Sequence, residues 1–262
     1  MFYSRTVYVV KNGVRSAARA ATLRDMSTAP ALPEPPWRTP RKDPANRRTL
    51  SREAIVAAAL RVLKAEGIDA VSMRRVATEL GTGAASLYAH VANKDELLAL
   101  VFDEVAGEIT LPEPDGARWR EQVTDLWTES RAVMARNGDI ARVAIGSVPM
   151  GPNSLRLAEV TTAILRAGGV PSRPAAWAVD VIGMFVSASA IESAQHERAG
   201  VDQEAYHRQV ADYFRSLPAE LFPVLASLSA DLTSGDADER FAFGLRLLVG
   251  GLAAEADRAN PL

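Results

Sequence analysis

The sequence predicts an all-α chain, and three observations carry that prediction. From residue 51 onward, apolar residues recur at three- and four-residue steps, the spacing of one face of a helix. No segment sustains the apolar–polar alternation of a half-buried strand. Glycine, Asn-Gly and proline stand at intervals that end helices. The 262 residues are 48% hydrophobic and 24% charged, a composition that supports a sizeable buried core. There is no cysteine, which excludes disulfides, thiolate zinc sites and cysteine nucleophiles and suits a reducing cytoplasm. No unbroken apolar run approaches the ~18–20 residues of a membrane span, so a cytoplasmic chain without a membrane partner is expected.

Residues 1–48 are predicted to be a disordered Pro/Arg-rich extension. Residues 1–50 hold ten Lys and Arg against three acidic groups, whereas 51–110 hold six against nine and 111–262 hold fourteen against twenty. A basic front end on an acidic body suits a polyanionic partner met with one end, but on charge alone a solvated, disordered tail is the better reading. Val7–Val10 is too short for a signal-peptide core. Met26 is an alternative start. Six prolines in 27–46 block helix and sheet. The stretch 37–48, with Arg38, Arg41, Lys42, Arg47 and Arg48, reads either as an arm for a neighbouring minor groove or as solvated chain.

The first helix starts at Ser51, an N-cap with Glu53 in the first turn, lines up Ile55, Ala59, Val62 and Leu63, and stops at Gly67. A short second helix, capped by Ser72, carries Met73, Val76, Ala77 and Leu80 on one face and ends at Gly81. After the turn Thr82-Gly83, a third helix over 84–91 buries Leu87 and Val91. The fourth opens on the capping pattern Asn93-Lys94-Asp95-Glu96 and runs to about Ile109. Further helices are placed near 116–136, 139–145, 153–168, 173–196, 202–216, 219–229 and 237–257.

Residues 72–91 are two short helices joined by a glycine-containing turn, a helix-turn-helix candidate that on pattern alone also reads as a plain helical hairpin of a bundle. The second helix has a narrow buried stripe and a small, polar outward face: Ala85, Ser86, Ala89 and His90. Small residues there let a helix approach base edges in a major groove. Nothing supports an enzyme. The three histidines, His90, His196 and His207, are scattered, and there is no phosphate loop or Ser/His/Asp spacing. No metal site and no cofactor are expected.

Residues 51–109 resemble the DNA-binding region of the TetR family of bacterial transcription regulators. The matching text is Ile55–Leu60, Gly67, Val71–Ala77, Leu80-Gly81 and, most specifically, Leu87-Tyr88-Ala89-His90-Val91-Ala92-Asn93-Lys94-Asp95-Glu96-Leu97-Leu98. Phe222–Ala226 and Phe241–Leu248 resemble the tail of the same family's tetracycline-repressor-like core. The resemblance implies a helix-turn-helix unit at 49–95 and a helical effector-binding and dimerisation unit at 96–262. It implies phosphate contacts from Tyr88 and Lys94, and base-facing positions at Ala84, Ala85, Ser86, Ala89 and His90. Either Arg74 or Arg75 faces the DNA. Thr82 and Gly83 stand where many relatives have valine and serine, which removes a hydroxyl donor. Readout must then rest on Ser86, His90, Arg74 and methyl contacts with thymine.

The resemblance further implies a homodimer on double-stranded operator DNA, released by a small-molecule effector. Candidate dimer residues are Val181, Ala188, Phe241, Leu245, Leu248 and Leu252, with Phe185 and Ile191 beside them and Gly244 and Gly251 permitting close approach. Those stripes read equally well as internal core. Candidate ligand contacts are Trp127, Met134, Met150, Met184, Phe185 and Glu192. Magnesium–tetracycline is not the expected effector, because no histidine lies between His90 and His196, and Thr110 stands near one of the family's histidine positions. A relative that acts through protein contacts, without specific DNA binding, is the alternative that the alanine-rich third helix leaves open.

Overall fold

The structure is a computed structural model and describes residues 50–146, 150–199 and 203–259. The 1–48 extension and the alternative start at Met26 lie outside the described residues. Among the described residues, all regular structure is helical. Helix α1 (Arg52–Glu66) begins where the Ser51 hydroxyl accepts the Ala54 amide at 3.2 Å. It ends where Gly67, at φ 87°, turns the chain away and gives its amide to the Leu63 carbonyl. A 3-10 turn (Ile68–Ala70) leads to α2 (Met73–Glu79), whose cap, Ser72, accepts the Arg75 amide at 3.1 Å. Gly81, at φ 65°, makes the turn into α3 (Ala84–Leu87).

Helix α3 is shorter than the 84–91 predicted. It starts at Gly83, which has no side chain to cap it, and its first bond is the tight Ser86 amide to Gly83 carbonyl at 3.0 Å. Beyond Leu87 the chain continues as turns, with the His90 and Val91 amides both donating to the Leu87 carbonyl. Leu87 and Val91 are buried as expected. Helix α4 (Lys94–Ala106) opens with a reciprocal cap: Asn93 accepts the Glu96 amide at 2.8 Å, and the Glu96 carboxylate accepts the Ala92 amide at 2.6 Å.

The rest comprises α5 (Trp119–Arg136), a 3-10 turn (Gly138–Ile140), α6 (Ala141–Gly146), α7 (Pro152–Ala167), α8 (Ser172–Ala199), α9 (Gln203–Arg215), α10 (Pro223–Ser227), α11 (Ser229–Leu232) and α12 (Ala237–Ala259). Helix α8 is the centre, packed on α5, α6, α7 and α12. Val123, Leu126, Ile164, Leu165, Ile182, Val186 and Leu245 fill the space between these helices. Helix α4 packs against α1 and also against α5, α6 and α7, so it belongs to both halves. The single helix predicted over 219–229 is two short ones. Pro223 starts α10 at its first turn, where its missing N–H costs nothing, and Leu228, at φ −100° and ψ 10°, interrupts the ladder.

Helix α8 is long and apolar without holding an unbroken apolar run. Its stretch Ser172–Gln195 is 24 residues long and contains a window with a mean hydropathy of 1.5, enough by length and composition to cross a membrane. This helix reaches its hydropathy through Ala, Val, Ile and Met set among Ser and Asp180. It is a core helix on one side: Ala175, Ala178, Ile182, Val186, Ala190 and Ala194 are buried. On the other side Trp177, Val181 and Met184 are exposed.

Candidate nucleic-acid interface

The reading surface is built by a few hydrophobic anchors. Leu87 and Val91 hold the α3 segment down, and α2 packs beside it. With that face pinned, Ala85, Ser86, Tyr88 and Ala89 point outward, Tyr88 being 54% exposed, and Gly83 is open. Thr82, Ala84 and His90 are half-buried. The Thr82 amide is held by the Ala77 carbonyl, and the His90 carbonyl accepts a bond from the Arg52 guanidinium at 3.4 Å. Gly83 has ordinary extended geometry, and a Cβ there would meet nothing within 4 Å.

Arg74 and Arg75 differ. The Arg75 guanidinium is committed to Glu66 at 2.6 Å and Glu79 at 3.1 Å. Those hydrogen bonds, from Glu66 first and then Glu79, raise its already high basicity. Glu79 is in turn held below the ordinary carboxylate range by hydrogen bonds from Arg61 and Arg75. The network braces α1 against α2. Arg74 is exposed, and its side chain has no partner among the described residues. Lys94, half-buried at the first turn of α4, borders a hollow of about 500 Å³ together with Asp69, Asp95 and Arg142. The sequence reading missed the Arg61–Glu79–Arg75–Glu66 network, whose only sequence signal is the four-residue step from Arg75 to Glu79.

The candidate ligand residues do not gather in one place. Trp127 and Met134 are buried in the core, whereas Met150 is 71% and Met184, on the outward side of α8, 45% exposed. Phe185 and Glu192 do come together. They line a hollow of about 220 Å³ with His207, Arg240 and Phe241. The Phe185 and Phe241 rings stack at 5.4 Å, and Arg131 lies over Phe241 while donating to Ser189, Ser193 and Asp238. The buried Trp127 Nε1 has no acceptor among the described residues.

The candidate dimer residues divide as well. Val181 and Ala188 are exposed and Leu248 and Leu252 half-buried, but Phe241 and Leu245 are buried against the chain's own helices. Gly244 makes room inside the chain: a Cβ there would lie 2.5 Å from the Phe185 ring. Gly251 meets nothing within 4 Å. The outward apolar face of α12 is Phe243 and Leu247, 55% and 60% exposed, and Leu247 shares a hollow of about 660 Å³ with Trp177 and Val181 of α8. Spacing could have found this face, since Trp177, Val181 and Met184 on α8, like Phe243 and Leu247 on α12, are three or four apart. Each stripe has an equally apolar neighbour, so helical periodicity alone does not choose between them.

A pinned short helix with a small outward face, set ahead of a capped helix that runs into a helical core, defines a helix-turn-helix DNA-binding regulator. The chain belongs to the TetR family: the model of bacterial regulatory proteins of the tetR family matches residues 55–101, and that of the tetracyclin repressor-like C-terminal domain matches 111–256. An HTH-type transcriptional regulator of Saccharopolyspora erythraea is 32% identical over 231 residues, which cover 88% of this chain and 96% of that protein. The HTH-type transcriptional repressor DrrR1 of Streptomyces coeruleorubidus is 34% identical over 78% of this chain and 77% of its own. Apo ActR of Streptomyces coelicolor superposes with a TM-score of 0.74 at 45% identity, covering 80% of this chain and 98% of ActR. ActR in complex with actinorhodin gives 0.73 at 46% identity, covering 79% and 98%. The protein is a transcriptional regulator and not an enzyme.

Proposed function

We propose that the chain acts as a cytoplasmic homodimer that represses by binding a palindromic operator and lets go when a small molecule enters its helical core. The observation that carries the operator reading is the exposed face of Ala85, Ser86 and Ala89 over buried Leu87 and Val91, with Tyr88 standing free beside it. Tyr88 and Lys94 would hold phosphates and set register. Arg74, Ser86 and His90 would supply hydrogen bonds to bases, the alanine methyls would meet thymine, and Thr82, Gly83 and Ala84 would let the duplex approach. Arg75 serves the fold through its two carboxylates. Residues 49–95 form the reading unit in this scheme, and 96–262 the effector and dimer unit.

Dimerisation rests on the outward apolar face of α8 and α12, for which a second copy is the natural cover. One helix-turn-helix reads few base pairs, and paired half-sites supply the rest. For the effector, the support is the complex of ActR with actinorhodin and the unpaired Trp127 Nε1, a buried donor that a ligand carbonyl would satisfy. Magnesium–tetracycline does not fit: the Thr110 hydroxyl and amide are both held by Glu129, at 2.9 and 3.1 Å. A calorimetric titration should show no metal-dependent tetracycline binding. The central test is fluorescence anisotropy with the DNA upstream of the chain's own gene. Sequence-preferred, salt-weakened binding is expected, and equal weak binding to every duplex would leave a regulator that works through protein contacts.

A further inference from the structure

Helix α7 has no N-cap of its own. It begins at Pro152, which has no N–H, and is preceded by Gly151, which has no side chain to offer. The cap comes instead from Asp103 on α4. The Asp103 Oδ1 accepts both the Ser154 amide and the Ser154 hydroxyl at 2.9 Å, and Oδ2 accepts the Asn153 amide at 3.3 Å. The Asn153 side-chain amide donates back to the Asp103 carbonyl at 3.0 Å. Asp103 is 7% exposed. Gly151 is required for space rather than for backbone angle: its φ is −71°, but a Cβ would lie 2.1 Å from the Asp103 carboxylate.

We propose that Asp103 is a positioning residue that fixes the pose of α4 on the core and thereby sets the separation of the two reading heads in the dimer. Helix α4 starts at Lys94, beside the reading surface, and packs against α1 of the head, so its angle is the head's angle. A second polar tie between head and core, Arg142 to Asp69 at 3.1 Å, is 44% and 85% exposed at its two ends and weakly constraining. A buried carboxylate accepting three hydrogen bonds constrains direction as well as distance. The proposal rests on the operator reading and concerns how strictly half-site spacing is kept.

The test uses the full-length dimer and an operator selected from random duplexes, then lengthened or shortened by one base pair at its dyad. The wild type should lose about tenfold in affinity on either change, because each moves one half-site off register. Asp103→Asn and Gly151→Ala, which break the cap from opposite sides, should cut that loss to under about threefold, and the double variant should go no further than either single. Thr161→Ala, which removes a buried hydroxyl elsewhere on α7, should keep the wild-type discrimination. If Asp103→Asn does not fold, Ser154→Ala removes one bond and should give intermediate discrimination. Unchanged discrimination in a folded cap variant overturns the proposal, as does equal loss in Thr161→Ala or a wild type indifferent to spacing. A wild type that prefers no sequence would sink the operator reading instead, and is distinguishable because no operator would be selected.

Discussion

Arg74 and Arg75 are neighbours in sequence and opposite in situation, and only the packing of α1 on α2 separates them. Sequence left them interchangeable because the acids that claim Arg75 lie nine residues before it and four after it, on two helices whose crossing is a tertiary fact. Asp103 escaped for the same reason, its partners lying 50 and 51 residues on. The small outward positions Ala85, Ser86 and Ala89 were legible because their cue is local, the buried Leu87 and Val91 beside them. Lys94→Ala should weaken operator binding uniformly across sequences and reduce the slope of log affinity against log salt by about one, measured by anisotropy titrations at several salt concentrations. Glu79 supports a pH prediction. Its carboxyl is depressed below the ordinary 4.5 by Arg61 and Arg75, so its stabilisation is present above pH 4.5 and lost as pH falls through the lower folded-state value. Thermal melts of wild type and Glu79→Gln should therefore differ at neutral pH and converge in acid.

Among the elements, the starts of α1, α2 and α4 were readable because each carries its own cap in Ser51, Ser72 and Asn93, whereas α4 stops at Ala106, short of the predicted Ile109. Helix α7, whose cap is borrowed, was still placed to within a residue at each end, because its apolar spacing and Gly168 mark it out; two other regions were not. Helix α3 contracts behind uncapped Gly83, and α10 and α11 divide at Leu228. Helix α12 misled in a different way. Its Phe241–Leu245 stripe has helical spacing, as an interface would, but closes the chain's own core. The packing of α12 on α8 depends on a missing side chain, since the Phe185 ring occupies the space where residue 244 would place a Cβ. Gly244→Ala should cost about 1–3 kcal/mol through overpacking, read as a lowered melting temperature. Adding Phe185→Leu should recover part of that loss. A melting temperature unchanged by Gly244→Ala would show that the ring moves aside freely.

At the scale of the molecule, the all-α class and the family were legible because helical periodicity and the text around Tyr88 and Lys94 are properties of the chain alone. The outward apolar face of α8 and α12, proposed above to receive a second copy, was not, because burial within one chain had first to be subtracted. Val181→Glu with Leu247→Glu should turn the dimer into monomers in sedimentation experiments and abolish tight operator binding, while the helical circular dichroism signal persists. If the pair stays dimeric, the association surface lies elsewhere. Helix α8 carries a further consequence. Only 33% of its membrane-grade apolar stretch is buried inside a single chain, and Trp177 stands 64% exposed on it. A lone subunit would be a sticky, short-lived species, prone to clump or to be degraded. For the dimer proposed above, falling apart would therefore be a poor way to vacate a promoter, and derepression should leave the two subunits joined, with their heads re-aimed.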